Sequence, residues 1–196
     1  MKTALLLATA CLCHATIIDR VAIAVARHPI LESAINLDIR VTSFLNGEAP
    51  IFSAASRKQA ASRLIDQQLI RDQIVSGDYP VAKAAEAADL LAQIRKDRFP
   101  TASQYRAALE RYGITEQQLK DRLLWQLTVL RFIDARFRPQ VVVSEEEIQR
   151  AQQLRKGDRQ SISDQIASER VNTLLDDWLK DQRTQTRIDY LEKSLQ

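Results

Sequence analysis

Glycine and proline are so scarce in this sequence that their positions limit where helices can begin and end. Four glycines and five prolines occur in 196 residues, and proline is poorly tolerated inside a helix. Every glycine follows an amphipathic run, as C-terminal helix caps do, and every proline falls between runs. The uninterrupted stretches are long and rich in good helix formers, which predicts a mostly α-helical protein.

The apolar spacing inside these stretches has the period of a helix. Apolar residues recur at intervals of three and four. Capping-box patterns, in which Ser or Thr is followed three residues later by Glu or Gln, begin at Thr101, Thr115 and Ser144. Helices are therefore predicted at 31–46, 54–76, 81–97, 102–112, 116–138, 145–155 and 161–184.

Short strands are predicted near the two ends of this helical region. Residues 21–26, "VAIAVA", form the first, followed by a turn at 27–29. The segment 187–192, "RIDYLE", alternates, with Ile188 and Tyr190 on one side. Pairing of the two strands would close a single module, whereas pairing of such a short edge with a second copy would give a homodimer.

The first residues differ in kind from the rest. Residues 1–15, "MKTALLLATACLCHA", begin with a basic residue, continue with an apolar run and end in small residues, the order of a secretory signal peptide. We expect export, and a mature chain of residues 16–196 that forms a single helical domain without a membrane span. A lipoprotein is the less favoured alternative, because Cys11 lacks a leucine three positions earlier. A buried N-terminal helix is the other alternative.

Charge and composition argue against several functions. The 28 basic and 25 acidic residues are interspersed and leave a net charge of +3, so a nucleic-acid-binding face is not expected. Both cysteines lie in the leader, and His28 is the one histidine after residue 15, so metal sites and catalytic triads are not expected. No glycine-rich phosphate loop is present. We therefore expect no cofactor and no catalytic residue.

The predicted helix 116–138 carries two apolar stripes, more than one buried face needs. The first, a typical core stripe, contains Leu119, Leu123, Leu127, Leu130 and Phe137, with Ile133 at its edge. The second contains Trp125, Val129 and Phe132. Between and beyond the stripes lie Arg122, Arg131, Arg136 and Arg138. Either both stripes are buried, covered by the helices at 61–74 and 169–184, or the second faces outward.

Several segments, in order, resemble SurA-type periplasmic chaperones. Residues 17–31 resemble their strand–turn–helix opening, and "ASRLIDQQLIRDQI" (61–74) resembles the helix that follows. Residues 112–149 resemble their long helix, short link and Ser-Glu-Glu helix start, while 169–192 resemble the returning segment. The resemblance implies a multi-helix SurA/trigger-factor-like chaperone module.

The sequence departs from that family where the family carries a parvulin prolyl-isomerase domain. Only the short segment 156–161, "KGDRQS", separates the two flanking helices. The expected function is therefore that of an ATP-independent periplasmic holdase for unfolded, apolar or aromatic polypeptide segments, outer-membrane protein precursors among them. A protein related to peptidyl-prolyl isomerases, or an adaptor for one folded partner, is the alternative.

The resemblance further implies a groove for client polypeptides, and the second stripe is the candidate lining. The peptide-binding residues expected on this basis are Trp125, Val129 and Phe132, with Arg122 and Arg136 contacting client carbonyls or acidic side chains, and Arg131 beside them. The alanine-rich segment 84–99 is a second candidate surface. Close packing of this segment on a neighbouring helix is the favoured alternative.

Overall fold

The computed structural model describes residues 19–154 and 157–196, which form seven α-helices and one three-stranded antiparallel sheet. The predicted leader, 1–15, lies outside the described residues. The strands are β1 (Val21–Val25), β2 (His28–Leu31) and β3 (Ile188–Tyr190). The helices are α1 (Glu32–Asn46), α2 (Ala54–Ser76), α3 (Ala84–Arg98), α4 (Ala102–Tyr112), α5 (Glu116–Arg136), α6 (Glu145–Leu154) and α7 (Arg159–Gln185). Short 3₁₀ turns lie at Arg138–Gln140 and Lys193–Leu195. The mostly helical character predicted from the sequence is confirmed.

Side-chain caps fix the first residues of most of these helices. The side chains of Ser53, Thr101, Thr115 and Asp158 each accept a hydrogen bond from the backbone N–H three residues later. The capping box at Thr115 is complete, because Gln118 accepts a bond from the Thr115 N–H at 2.8 Å. Ser144 and Glu147 form the same reciprocal pair. Each cap satisfies donors that the first helical turn leaves open.

The start of α3 differs from the prediction. This helix begins at Ala84 instead of residue 81. The N–H of Ala82 donates to the hydroxyl of Thr128 on α5 at 3.1 Å. Residues ahead of α3 are thus tied to another helix and remain extended, a tertiary contact that the local sequence does not reveal.

The sheet joins both ends of the described chain, in the order β2-β1-β3. Strand β1 pairs antiparallel with β3, with Ile23 opposite Tyr190, which confirms the predicted pairing of the terminal strands. The prediction of a turn at 27–29 is wrong in detail. His28 and Pro29 belong to β2, and the hairpin turns at Ala26 and Arg27. Ala26 adopts a φ of 51°, as a tight two-residue turn requires.

The core consists of three clusters of buried side chains. The first lies between the sheet, α1 and α2 and includes Leu195 near the C-terminus. The second joins α1, α3, α4 and the first half of α5, and the third joins α2, the second half of α5 and α7. Helix α5 therefore connects two clusters.

Among the helices of residues 19–154 and 157–196, none combines the length and apolar character that crossing a bilayer requires.

Candidate functional site

An open hollow of about 500 Å³ lies between α2, α3 and α5, and we call it the α2–α5 groove. Its apolar lining consists of Ile70, Leu90, Trp125, Leu127, Val129 and Leu130. Its polar lining consists of Arg63, Asp66, Gln67, Arg122 and Gln126. An apolar floor with a few polar groups at its margin is the usual composition of a binding site.

Helix geometry places these side chains on facing surfaces. On α2, Arg63, Asp66, Gln67 and Ile70 follow the i, i+3, i+4, i+7 spacing of one helix face. On α5, Arg122, Gln126 and Val129 repeat that spacing. Both helices exceed five turns, so each of these two walls is a single continuous helix.

The aromatic centre of the groove is Trp125. Its ring is partly buried against the third core cluster, and the guanidinium of Arg71 lies over the ring, 4.3 Å from its centre. That distance permits a cation–π interaction. Val129 is likewise half-buried, whereas Leu130 is 58% exposed. The groove thus offers apolar surface that neighbouring helices cover only in part.

Phe132 does not line this groove, and the expectation that it would is wrong. It is 0% exposed and packs against the rings of Tyr79, Phe137 and Trp178, at centroid distances of 5.0, 5.8 and 5.6 Å. Leu130, which was expected in the core, is instead 58% exposed. The two residues have exchanged the roles that the stripe pattern gave them.

The reason for the exchange is that the buried side of α5 changes along its length. In the first half, Leu119 and Leu123 are buried beneath α1, α3 and α4. In the second half, Thr128 and Phe132 are the buried residues, and Phe132 is covered by side chains of α2 and α7. A single stripe drawn along the whole helix therefore fails beyond the point where the covering helices change.

Arg122 lines the groove, but its guanidinium is also part of a buried ion cluster. Asp38 on α1 has a side chain only 1% exposed. It accepts bonds from Arg63 through Nε at 3.0 Å and Nη2 at 2.6 Å, and from Arg122 through the other oxygen. A buried carboxylate requires such pairing to offset its lost hydration. The two guanidiniums carry two positive charges and the carboxylate carries one negative charge, so the cluster has a net charge of +1.

Arg136 and Arg131, the other two predicted arginines, lie outside the groove lining. Arg136 donates to the Tyr79 hydroxyl at 2.8 Å and lies 5.3 Å from the Trp178 ring centre. Arg131 bonds the carbonyl of Val81 and the carboxylate of Glu86, both at 2.5 Å. Both arginines hold α5 to its neighbours. Arg136 does not line the α2–α5 groove, and its contact with a client stays a prediction.

Asp66, the acidic residue of the groove lining, is also paired. Arg183 of α7 donates to it through Nε at 2.7 Å and to the carbonyl and hydroxyl oxygens of Ser62. The hydrogen bond to Asp66 raises the pKa of Arg183 above its ordinary value. Asp66 therefore adds little negative potential to the groove.

The groove contains three apolar residues that lie in neither predicted binding surface: Ile70, Leu127 and Leu130. Their spacing fits a core face equally well, so the sequence carries no local signal that distinguishes them. Of the second candidate surface, 84–99, only Leu90 reaches the groove, while Ala87 and Leu91 are buried in the second core cluster.

Within the described ranges, His, Cys, Asp and Glu side chains do not come together in groups of three that would hold a metal ion. No protein-family model matches the sequence, and no curated protein does.

Proposed function

We propose that this protein is an ATP-independent holdase that binds apolar segments of unfolded polypeptides in the α2–α5 groove. The observation that supports this most is the partly covered apolar surface at Trp125, Val129 and Leu130, bordered by charged side chains. Exposed apolar surface rimmed by polar groups is typical of sites that bind other chains. The leader-like residues 1–15 and the resemblance to SurA-type chaperones support a periplasmic site of action.

The size of the groove fits weak and broad binding. A client segment that removes roughly 200 Å² of apolar surface from water gains about 5 kcal/mol. Ordering of the segment and loss of its free motion offset much of that gain. A gain of this size corresponds to a dissociation constant of roughly 0.2 mM at the tightest, so affinities in the submillimolar to millimolar range are expected. A holdase needs such affinities, because it has to release its clients without nucleotide.

Suppression of aggregation by light scattering tests the proposal. A reduced, unfolded model client should scatter less in the presence of the protein, without nucleotide. Leu130→Asp should abolish the protection, because it places a charge on the exposed apolar wall of the groove. Leu154→Asp is the matched control, since Leu154 is 88% exposed on α6, away from the groove, and it should protect as well as the wild type.

Two results would contradict the proposal. One is a lack of protection by the wild type at several-fold molar excess. The other is recovery of a single folded protein in stoichiometric amount from pull-downs, which would favour an adaptor over a holdase.

A further inference from the structure

We infer that the α2–α5 groove selects apolar client segments that carry an acidic side chain, which binds at Arg63 and Arg122. This inference rests on the proposed function and specifies its substrate class. It commits the groove to one occupant, an extended unfolded segment with an aspartate or glutamate near its apolar residues.

The charges around the groove are unequal. Four guanidiniums lie in or against it, those of Arg63, Arg71, Arg122 and Arg183. Two carboxylates oppose them, Asp38 and Asp66. Asp66 pairs with Arg183, and Asp38 is shared between Arg63 and Arg122. The surplus positive charge therefore lies at the Arg63–Arg122 end and at Arg71 over Trp125.

In the ion cluster the two arginines line the groove and Asp38 lies beneath them, so the surplus positive charge faces the groove. Asp38 lies beneath, with its side chain 1% exposed, whereas the side chains of Arg63 and Arg122 are 33% and 14% exposed and line the hollow. A guanidinium has five N–H donors. Arg63 uses Nε and Nη2 on Asp38, and Arg122 uses Nη2. Further donors of both groups are thus left for a carboxylate of the client.

The length of the groove sets the expected spacing in the client. Arg122 and Val129 are about 10 Å apart along the axis of α5, at 1.5 Å per residue. An extended peptide covers this length in about three residues. The favoured segment therefore has its carboxylate about three positions from the apolar residue that contacts Val129 and Leu130.

Fluorescence anisotropy with labelled peptides tests the inference. The probes share one apolar core, Leu-Phe-Val, and carry Glu, Gln or Lys about three positions from the Phe. The Glu peptide should bind about fivefold more tightly than the Gln peptide, and the Lys peptide more weakly than both. The advantage of Glu should shrink toward onefold at about 1 M salt.

Substitutions test whether Arg63 causes the preference for the Glu peptide. Arg63→Gln should lower the ratio of Glu to Gln affinities toward one, while Arg63→Lys, which keeps the charge, should retain most of it. Arg106→Gln is the matched control, because Arg106 is an exposed arginine of α4 whose side chain bonds only a carbonyl of its own helix. This control should leave the ratio unchanged.

The outcomes separate the inference from the proposed function. If the Gln peptide binds in the groove and the Glu peptide binds no better, the charge selection is wrong and the holdase proposal stands. A Lys peptide that binds as well as the Glu peptide leads to the same conclusion. If none of the peptides binds, the proposed function fails and the selection fails with it.

Discussion

Asp38 shows how a single buried residue shapes the groove wall. It lies on α1, and its two carboxylate oxygens are shared by Arg63 of α2 and Arg122 of α5. Three helices therefore meet at one carboxylate. Because both arginines also line the groove, the contact that fixes their position gives the groove its charge as well.

Replacement of Asp38 by Asn should destabilise the fold. Two guanidiniums would lose their carboxylate, and breaking a buried ion pair in this way costs about 3 kcal/mol. Urea denaturation checks the value. Asp134→Asn is the matched control, since Asp134 is an exposed carboxylate on α5 that pairs with Arg138, and its loss should cost about 0.5 kcal/mol or less. Equal losses in the two variants would contradict the structural role of Asp38.

Substitutions of Phe132 and Leu130, which lie two positions apart on α5, should affect different properties. Loss of Phe132 should lower the stability of the fold, and loss of Leu130 should weaken peptide binding. Phe132→Ala removes a fully buried ring and should lower the free energy of unfolding by about 3–5 kcal/mol. Leu130→Ala should lower it by about 0.5 kcal/mol or less, yet weaken the binding of an apolar peptide. Chemical denaturation and peptide anisotropy on both variants provide the comparison. A large stability loss from Leu130→Ala would place that side chain in the core after all.

The first turn of α6 is held by one carboxylate with an unusual pKa. Glu147 accepts hydrogen bonds from the backbone N–H of Ser144, from Arg170 of α7 and from the Ser144 hydroxyl, which together lower its pKa from 4.5 to about 2. These bonds favour the charged form. The ionised side chain therefore joins the start of α6 to α7.

This arrangement predicts how the α6–α7 contact depends on pH. Since the folded-state pKa is depressed, the stabilisation is complete above about pH 4.5 and is lost as the pH falls toward 2. The protection factors of the first-turn amides of α6, that is, their exchange rates relative to the intrinsic rate at each pH, should fall over that range in the wild type, whereas Glu147→Gln should remove this dependence. A carboxyl NMR titration that gives Glu147 an ordinary midpoint near 4.5 would contradict the account.

The helices themselves were largely predictable, because their ends are set locally. The bounds of α2 and α4 agree with the prediction, since each ends at a glycine and begins after a serine or threonine cap. The start of α3 was missed because the Ala82–Thr128 bond is a tertiary contact. The strand β2 was missed because Pro29 favours a turn in the sequence, whereas β2 lies at the edge of the sheet, where proline is tolerated.

The groove was predictable only in part. Trp125, Val129 and Arg122 line it, whereas Phe132 and Arg136 do not. Periodicity identifies which residues share a helix face, but it does not reveal which neighbour covers each part of a long helix. On α5 that neighbour changes near its middle, and the expected stripe ceases to describe burial there.

For the whole molecule, the C-terminal segment closes the structure onto the N-terminal sheet. Strand β3 pairs with β1, and Leu195 is buried in the cluster between the sheet, α1 and α2. Glu192 pairs with Arg57 at 2.9 Å. The two ends of the described chain therefore stabilise one common core.

Leu195→Ala should accordingly destabilise the protein by about 2–3 kcal/mol, through lost burial and the cavity left behind. Leu191→Ala, four residues earlier, removes an exposed side chain and should cost about 0.5 kcal/mol or less. The midpoint of urea denaturation distinguishes them. Similar midpoints for the two variants would show that the C-terminal segment does not contribute to the core.

Site-specific photo-crosslinking tests the central claim most directly, namely that unfolded chains bind in the α2–α5 groove. A photoreactive residue at position 130 should crosslink a reduced, unfolded client and fail to crosslink the same client in its folded form. The same residue at position 154, more exposed but outside the groove, should give little product. Equal crosslinking from both positions, or none from position 130, would contradict the account.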